Sequence, residues 1–421
     1  MIVVPNRCGD LLSVKGFGLL TLVLWLAIAP TARWSQLETA SVLQTHGRLL
    51  AGESPTAATP MLTARVAFKS RSESRDEVGE VLLSSQDGGK LFLTADGQLW
   101  LLQPEDIVSQ SPSSTPLQPQ TTEEIYTDLR AKLAPGFLVH KTAHFVLIYN
   151  TSKTYAIWVG DLYERLYRAF ANFWKQRGVR LEEPRFPLVA LVFDSKQAYL
   201  QYAEREVGES ARAMIGYYNM QTNRIVSFDI TGVQGLAQPG ALYSSTAMLT
   251  QLFSQPQAER TVATIVHEAV HQIAYNTGFQ VRLADNPKWV SEGLAMFFET
   301  PDVKSPRGWG TIGRINYHQL QQFRLYLAKR PTDSLTTLIS DDNRFSNKDS
   351  IAGAYAESWA LTYYLLKAQG DKYADYAKDL ANYPPLGECD ARQRVDLFKK
   401  HFGEDMAKLD SQFLNYIRRL R

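Results

Sequence analysis

His267 and His271 stand four positions apart, with Glu268 beside the first, in the run His267-Glu268-Ala269-Val270-His271. The flanking stretch from Thr261 to Thr277 reads as a helix. On a helix, residues i and i+4 share a face one turn apart, so both imidazoles project to one side. One Zn²⁺ can take both, and Glu268 leans toward the same edge, within reach of a water held there. The competing reading is a helix with two ordinary hydrogen-bonded histidines. Glu292 follows His271 by 21 residues, inside Trp289-Val290-Ser291-Glu292-Gly293-Leu294-Ala295-Met296-Phe297-Phe298-Glu299. That interval is enough to end the first helix at Gly278, a C′ glycine, and to start a second near Pro287. A carboxylate near the start of that helix can be a third protein ligand. Two His and one Glu leave the fourth position of a tetrahedral zinc open for water, as in catalytic rather than structural sites. Glu299, seven residues after Glu292, shares its face. It either orients a ligand imidazole or is a solvated surface glutamate.

Together the two motifs resemble those of the gluzincin metallopeptidases of the peptidase-MA-like clan, the M1-type aminopeptidases among them. More narrowly, the region from about Phe137 to about Phe323 resembles the bacterial DUF1570 family of secreted peptidase-like proteins. The matching runs are His144-Phe145-Val146, Ile215-Gly216-Tyr217-Tyr218, Val266 to Gln272, Ser291-Glu292-Gly293 and Glu299-Thr300-Pro301-Asp302. The resemblance implies a zincin-like catalytic domain with His267, His271 and Glu292 as zinc ligands, Glu268 as general base, and a peptide or protein substrate. It further implies that the strand Ile215 to Tyr218 lines the cleft at a sheet edge and pairs with extended peptide. An ordinary paired strand with half-exposed tyrosines is the alternative. M1-type enzymes place an oxyanion-stabilising tyrosine at a separation like the 63 residues from Glu292 to Tyr355. Tyr355 is therefore the candidate donor, against a core tyrosine in an amphipathic helix. Tyr317 and His318 are weaker rivals. No G-x-M-E-N segment precedes the helix, so aminopeptidase activity is not implied.

A chain of 421 residues suggests two or three units. A hydrophobic content of 45% suffices for a packed core. A net charge of +2, with no basic run interleaved with aromatics, points away from a nucleic-acid partner. A monomer is expected. Arg7 and Lys15 precede an apolar run from Gly16 to Ala29. That run is short for a bilayer span and suits a signal-peptide core. Ala27-Ile28-Ala29 resembles a cleavage site, but Pro30 would follow the cut. Residues 1–32 are therefore a signal peptide or a membrane anchor, and the protein is expected outside the cytoplasm: periplasmic, secreted or membrane-anchored. Cys8 would leave with a cleaved signal and Cys389 would have no partner, so no disulfide framework follows.

Between these ends, residues 33–62 read as a tether and 63–108 as a small β module. Three short strands, around Val81–Leu83, Leu91–Leu93 and Leu99–Leu101, are separated by the hairpin signals Asp87-Gly88-Gly89 and Asp96-Gly97. Such a sheet is marginal alone and needs something to dock on. Residues 109–122, rich in Pro, Ser and Gln, read as a flexible linker. The catalytic unit, 123–421, is expected to be α+β, with a mixed sheet plus active-site helices and a helical C-terminal half forming the far wall of the cleft. Its expected elements are a strand at 145–149, a helix at 154–177, a strand at 188–193, a helix at 196–207 and a hairpin of 214–219 with 224–229. Further helices are expected over 315–328, 351–369, 372–383 and 404–419. The stretch 231–257 reads as a long loop, a lid or cleft wall. The function this predicts is zinc-dependent peptide-bond hydrolysis. Its rivals are a non-catalytic zincin-fold module binding peptide or glycan, and an envelope scaffold whose zinc is structural.

Overall fold

The computed structural model describes residues 62–70, 73–233, 243–305 and 308–421. The expected signal or anchor segment and almost all of the tether lie outside the described residues. Among the described residues no helix is long and apolar enough to cross a membrane.

The chain folds as α+β, with two five-stranded sheets. The first is antiparallel throughout and holds β1 (Leu62–Ser70), β2 (Glu73–Ser84), β3 (Lys90–Thr94), β4 (Leu99–Leu102) and β5 (Ile107–Pro112), in the order β4-β3-β2-β1-β5. Five strands replace the three expected. The first was missed because its core face is only Ala64, Val66 and Phe68, alternating with Arg65, Ala67 and Lys69, a weak period-2 signal. The expected linker begins inside β5. Pro112 is tolerated there because β5 is an edge strand, where a missing N–H breaks no ladder. The rest of that stretch is pinned by the buried Leu117 and by Gln120 N–H to Ala95 O at 2.8 Å.

Thr121 then starts α1 (Thr122–Arg130) through a capping box with Glu124. The second sheet contains β6 (Leu138–Lys141), β7 (Phe145–Tyr149), β8 (Leu188–Phe193), β9 (Gly216–Asn219) and β10 (Arg224–Phe228), ordered β6-β7-β8-β10-β9. The central pairs β7–β8 and β8–β10 are parallel; the outer pairs are antiparallel. Parallel neighbours need crossovers, supplied by α2 (Lys153–Lys175) and α3 (Lys196–Val207). Alternate side chains of β7 and β8 go to opposite faces. Phe145, Leu147, Leu188 and Ala190 pack on α2, and Val146, Ile148, Val189 and Leu191 pack on α1 and α3. Burial on both faces explains why β8 is a continuous apolar run.

The stretch expected as a loop at 231–257 contains a helix, α4 (Thr246–Phe253), N-capped by Ser245 and buried through Leu249, Leu252 and Phe253. Beyond it come α5 (Glu259–Asn276), α6 (Lys288–Phe298), α7 (Tyr317–Leu327), α8 (Ser334–Ser340), α9 (Ile351–Ala368), α10 (Gly370–Leu380), α11 (Ala391–Phe402) and α12 (Met406–Arg418). Two of these, α8 and α11, were not foreseen. Helix α9 is buried nearly all round and packs against α6, α7, α10 and α12. It is the core of the helical half.

Candidate metal centre

Helix α5 crosses the sheet near the β10–β9 edge. Gln272, fully buried, donates from Nε2 to Val189 O at 3.0 Å and Asn223 O at 2.9 Å, fixing the helix to the sheet. Glu268 lies one turn earlier and so faces the sheet too. Its Oε2 accepts the Tyr218 N–H of edge strand β9 at 2.8 Å. His267 and His271 turn toward α6. That helix begins after Gly278, whose φ of +72° ends α5 as expected for a C′ glycine. Glu292 sits in the second turn of α6.

Helix α6 approaches α9 closely, and Gly293 is what permits it. A Cβ there would lie 2.1 Å from Thr362 Oγ1 and 2.6 Å from Ser358 O. This gives the Glu-Gly pair a packing reason as well as a chemical one.

The three candidate ligands converge. His267 Nε2 is 3.1 Å from His271 Nε2 and 3.2 Å from Glu292 Oε2, and His271 Nε2 is 3.8 Å from Glu292 Oε1. One ligand atom from each lies within 4.8 Å of the others, and all three residues are buried. The other nitrogen of His267, Nδ1, meets Glu299 Oε2 at 2.7 Å. With Nδ1–H donated to Glu299, a His267 ring that gave up its Nε2 proton in favour of a metal would present a lone pair there. That lone pair faces an imidazole nitrogen and a carboxylate oxygen, atoms that repel at this separation unless a cation or proton lies between them. A tetrahedral zinc with bonds of about 2.0–2.1 Å sets its ligands about 3.3 Å apart, which suits the shorter two of these distances. Glu292 Oε1 and Glu268 Oε1 are buried with no hydrogen-bond partner. The orphaned Glu292 Oε1, beside two imidazoles, fits a divalent cation better than a closed hydrogen-bonded cluster.

Electrostatics follow from burial and from these neighbours. Burial disfavours the charged form of His267, but Glu292 and Glu299 outweigh it and raise its pKa well above the usual imidazole value. Burial and the adjacent His267 hold His271 well below that value. Burial pushes Glu268 up to about 7; His267 and the Tyr218 N–H pull it down, while Glu292 and Glu299 add to the rise.

Tyr355, on the second turn of α9, is held well above the ordinary phenol value, by burial first and then by the charges of Glu292 and Glu268. Its ring packs edge-on to Phe345 at 5.4 Å. The charges of Glu292 and Glu268 thus act on its phenol. Tyr317 is 66% exposed. His318 lies outside the ligand set and senses Arg260 and Glu299. Tyr217 and Tyr218 are both buried, not half-exposed. The Tyr217 hydroxyl donates to Glu206 and that of Tyr218 to Asn223.

Two contributors had no signal in the sequence. Asn316 caps α7, accepting from Gln319 N–H, and donates from Nδ2 to Glu299 Oε1 at 2.7 Å. It has the residue type of an N-cap, but nothing marks its second contact. The Tyr218 contribution is a backbone N–H, which any residue but proline would supply.

Residues 261–387 match the family model DUF1570, described as a protein of unknown function. The match begins inside α5 and includes His267, Glu268, His271, Glu292, Glu299 and Tyr355. It leaves out the run from Phe137 to Arg260, where resemblance was also expected, and extends past Phe323 to Gly387. No curated protein is significantly similar to the chain.

Proposed function

We propose that this protein is a zinc-dependent peptide hydrolase of gluzincin type, with a zincin-like catalytic unit, acting outside the cytoplasm on peptide or protein substrates. The observation that carries the reading is the convergence of His267, His271 and Glu292 beside the orphaned carboxylate oxygen of Glu268. His267, His271 and Glu292 would hold the metal, which when bound supplies Lewis-acid polarisation of a carbonyl and acidifies water toward a pKa of about 7.

The residues divide the remaining work. Glu268 is held at Oε2 by the Tyr218 N–H, which leaves Oε1 to accept a proton from the attacking water and to return it to the leaving amine. Glu299 fixes the tautomer of His267, so that Nε2 offers its lone pair to the site. The Tyr355 phenol, kept protonated by burial and by two neighbouring carboxylates, can donate a hydrogen bond to the oxyanion of the tetrahedral intermediate. Strand β9 is a sheet edge, suited to main-chain pairing with an extended peptide.

The test is a peptide-library cleavage profile of the purified full chain, with and without chelator, beside its metal content. Glu268→Gln is expected to keep zinc and lose about 10²- to 10⁴-fold in kcat. A Glu268→Gln enzyme as fast as wild type removes the mechanism.

A further inference from the structure

Arg282 lies in the segment between α5 and α6 that joins the two ligand-bearing helices. Its Nη1 donates to two carbonyls: Gly97 O, in the β3–β4 turn of the β module, at 2.8 Å, and Met220 O, in the β9–β10 turn, at 3.2 Å. The next carbonyl of that second turn, Gln221 O, accepts Leu99 N–H, the first amide of β4, at 2.8 Å. Two successive carbonyls of one turn are thus gripped, one by the inter-helix segment and one by the β module. Tyr218, two residues before Met220, supplies the N–H that holds Glu268. The turn is fixed from below as well. Asn223, at a φ of +59°, accepts the Tyr218 hydroxyl and exchanges amide hydrogen bonds with Asn276 at the end of α5.

The module is not loosely hung. Arg185 meets the buried Glu80 with two hydrogen bonds of 2.6 and 2.7 Å. Gly97, at a φ of +78°, lets the β3–β4 turn close on Phe186, where a Cβ would lie 3.1 Å from the ring. This glycine is required both for the turn and for the approach.

We propose that the β module is a clamp on the β9–β10 turn, and that Arg282 is a positioning residue which, through that turn and the Tyr218 N–H, sets the carboxylate of Glu268. The catalytic consequence rests on the hydrolase reading above; the clamp is a separate structural claim. The module, a sheet expected to need something to dock on, thereby becomes part of the active site's support.

The experiment compares wild type, Arg282→Met, Arg282→Lys and the double variant Glu80→Gln/Arg185→Gln, all as full chains. Hydrogen exchange across residues 216–222 is read together with kcat, KM and zinc content. In Arg282→Met the exchange of this segment should quicken about tenfold or more. Its kcat should fall about ten- to a hundredfold, with KM and zinc stoichiometry within about twofold of wild type. Arg282→Lys, whose ammonium can donate to both carbonyls, should recover most of both. The double variant loosens the module without touching the turn and should also quicken exchange; it decides the matter where Arg282→Met does not fold. Unchanged exchange in the variants that fold overturns the clamp. Faster exchange with wild-type kcat overturns the positioning of Glu268. A wild type that cleaves nothing overturns the hydrolase reading alone, because exchange at 216–222 still reports the Tyr218 contact.

Discussion

Glu299 ends α6 as its C-cap residue, with one oxygen 2.7 Å from His267 Nδ1 and the other accepting Asn316 Nδ2 at 2.7 Å. It holds the ring of His267, a candidate ligand that is only 3% exposed. Removing such a partner costs a metal site about ten- to a hundredfold in affinity, equal to about 1.4–2.7 kcal/mol. The two ends of that range can be assigned. Glu299→Ala leaves the Nδ1 proton without its partner and frees the ring to turn, so it should fall near a hundredfold. Glu299→Gln keeps an acceptor for His267, but its amide then points at the Asn316 amide, donor against donor. Asn316 cannot simply turn over, because its Oδ1 accepts Gln319 N–H at 3.2 Å as the cap of α7. Glutamine should therefore cost about tenfold rather than nothing. Competition with a chromogenic zinc chelator measures the affinity of all three proteins. Equal affinity in wild type and Glu299→Ala would refute the reasoning, because it would mean that His267 is held by packing alone.

Tyr355→Phe keeps the edge-on contact with Phe345 but removes the phenol donor. It should lower kcat about 10²- to 10³-fold with an unchanged melting temperature, and a loss under about twofold returns Tyr355 to the core. Gly293→Ala drives a methyl into Thr362 Oγ1 and Ser358 O, and overpacking of this kind costs about 1–3 kcal/mol. Calorimetry should show the loss, zinc affinity should drop with it, and adding Thr362→Ala should restore part of both; full stability in the single variant would count against close α6–α9 packing. In chelated protein, burial pushes folded Glu268 up to about 7 from the ordinary carboxyl value of 4.5. The folded state therefore keeps a proton that the unfolded chain releases between those values, and stability falls as pH rises through that window, by about 3 kcal/mol. Melting curves of wild type and Glu268→Gln across pH 4.5 to 7.5 in chelator test this; a stability difference that does not change with pH would contradict it.

What the sequence made legible was local. His267, Glu268 and His271 are placed by the geometry of one helix, and no tertiary detail is needed to put two imidazoles on one face. Glu292 was reachable because Gly278 and Pro287 mark where one helix stops and the next starts. What was hidden runs through the backbone. Glu268 is held by an N–H, and Arg282 reaches two carbonyls. Neither partner's side chain carries a trace of the contact. The Pro- and Ser-rich stretch after β4 looked unable to order itself because composition counts side chains. It is ordered by ladder hydrogen bonds along β1 and by one buried leucine, Leu117.

The same distinction explains why α9 matters more than its plain apolar sequence suggests. Its first two turns carry Tyr355 toward Glu292 and Glu268 and present Ser358 to Gly293. Between those positions sits Glu357, fully buried, accepting from Arg330 Nε at 2.8 Å, Arg344 Nη2 at 2.8 Å and Ser334 Oγ at 2.6 Å. Such a network is weak evidence for stability, because desolvating three charges offsets much of their attraction. Its geometric effect is clearer. An apolar helix buried all round has several nearly equivalent rotations, since one aliphatic side chain fills a gap about as well as another. A carboxylate with three fixed donors does not allow this: turning α9 by one residue, about 100°, would strand a buried charge. Glu357 thus selects the rotation that turns Tyr355 toward the candidate metal centre and keeps a small face toward Gly293. The buried charge serves the register of the helix, and through it the site.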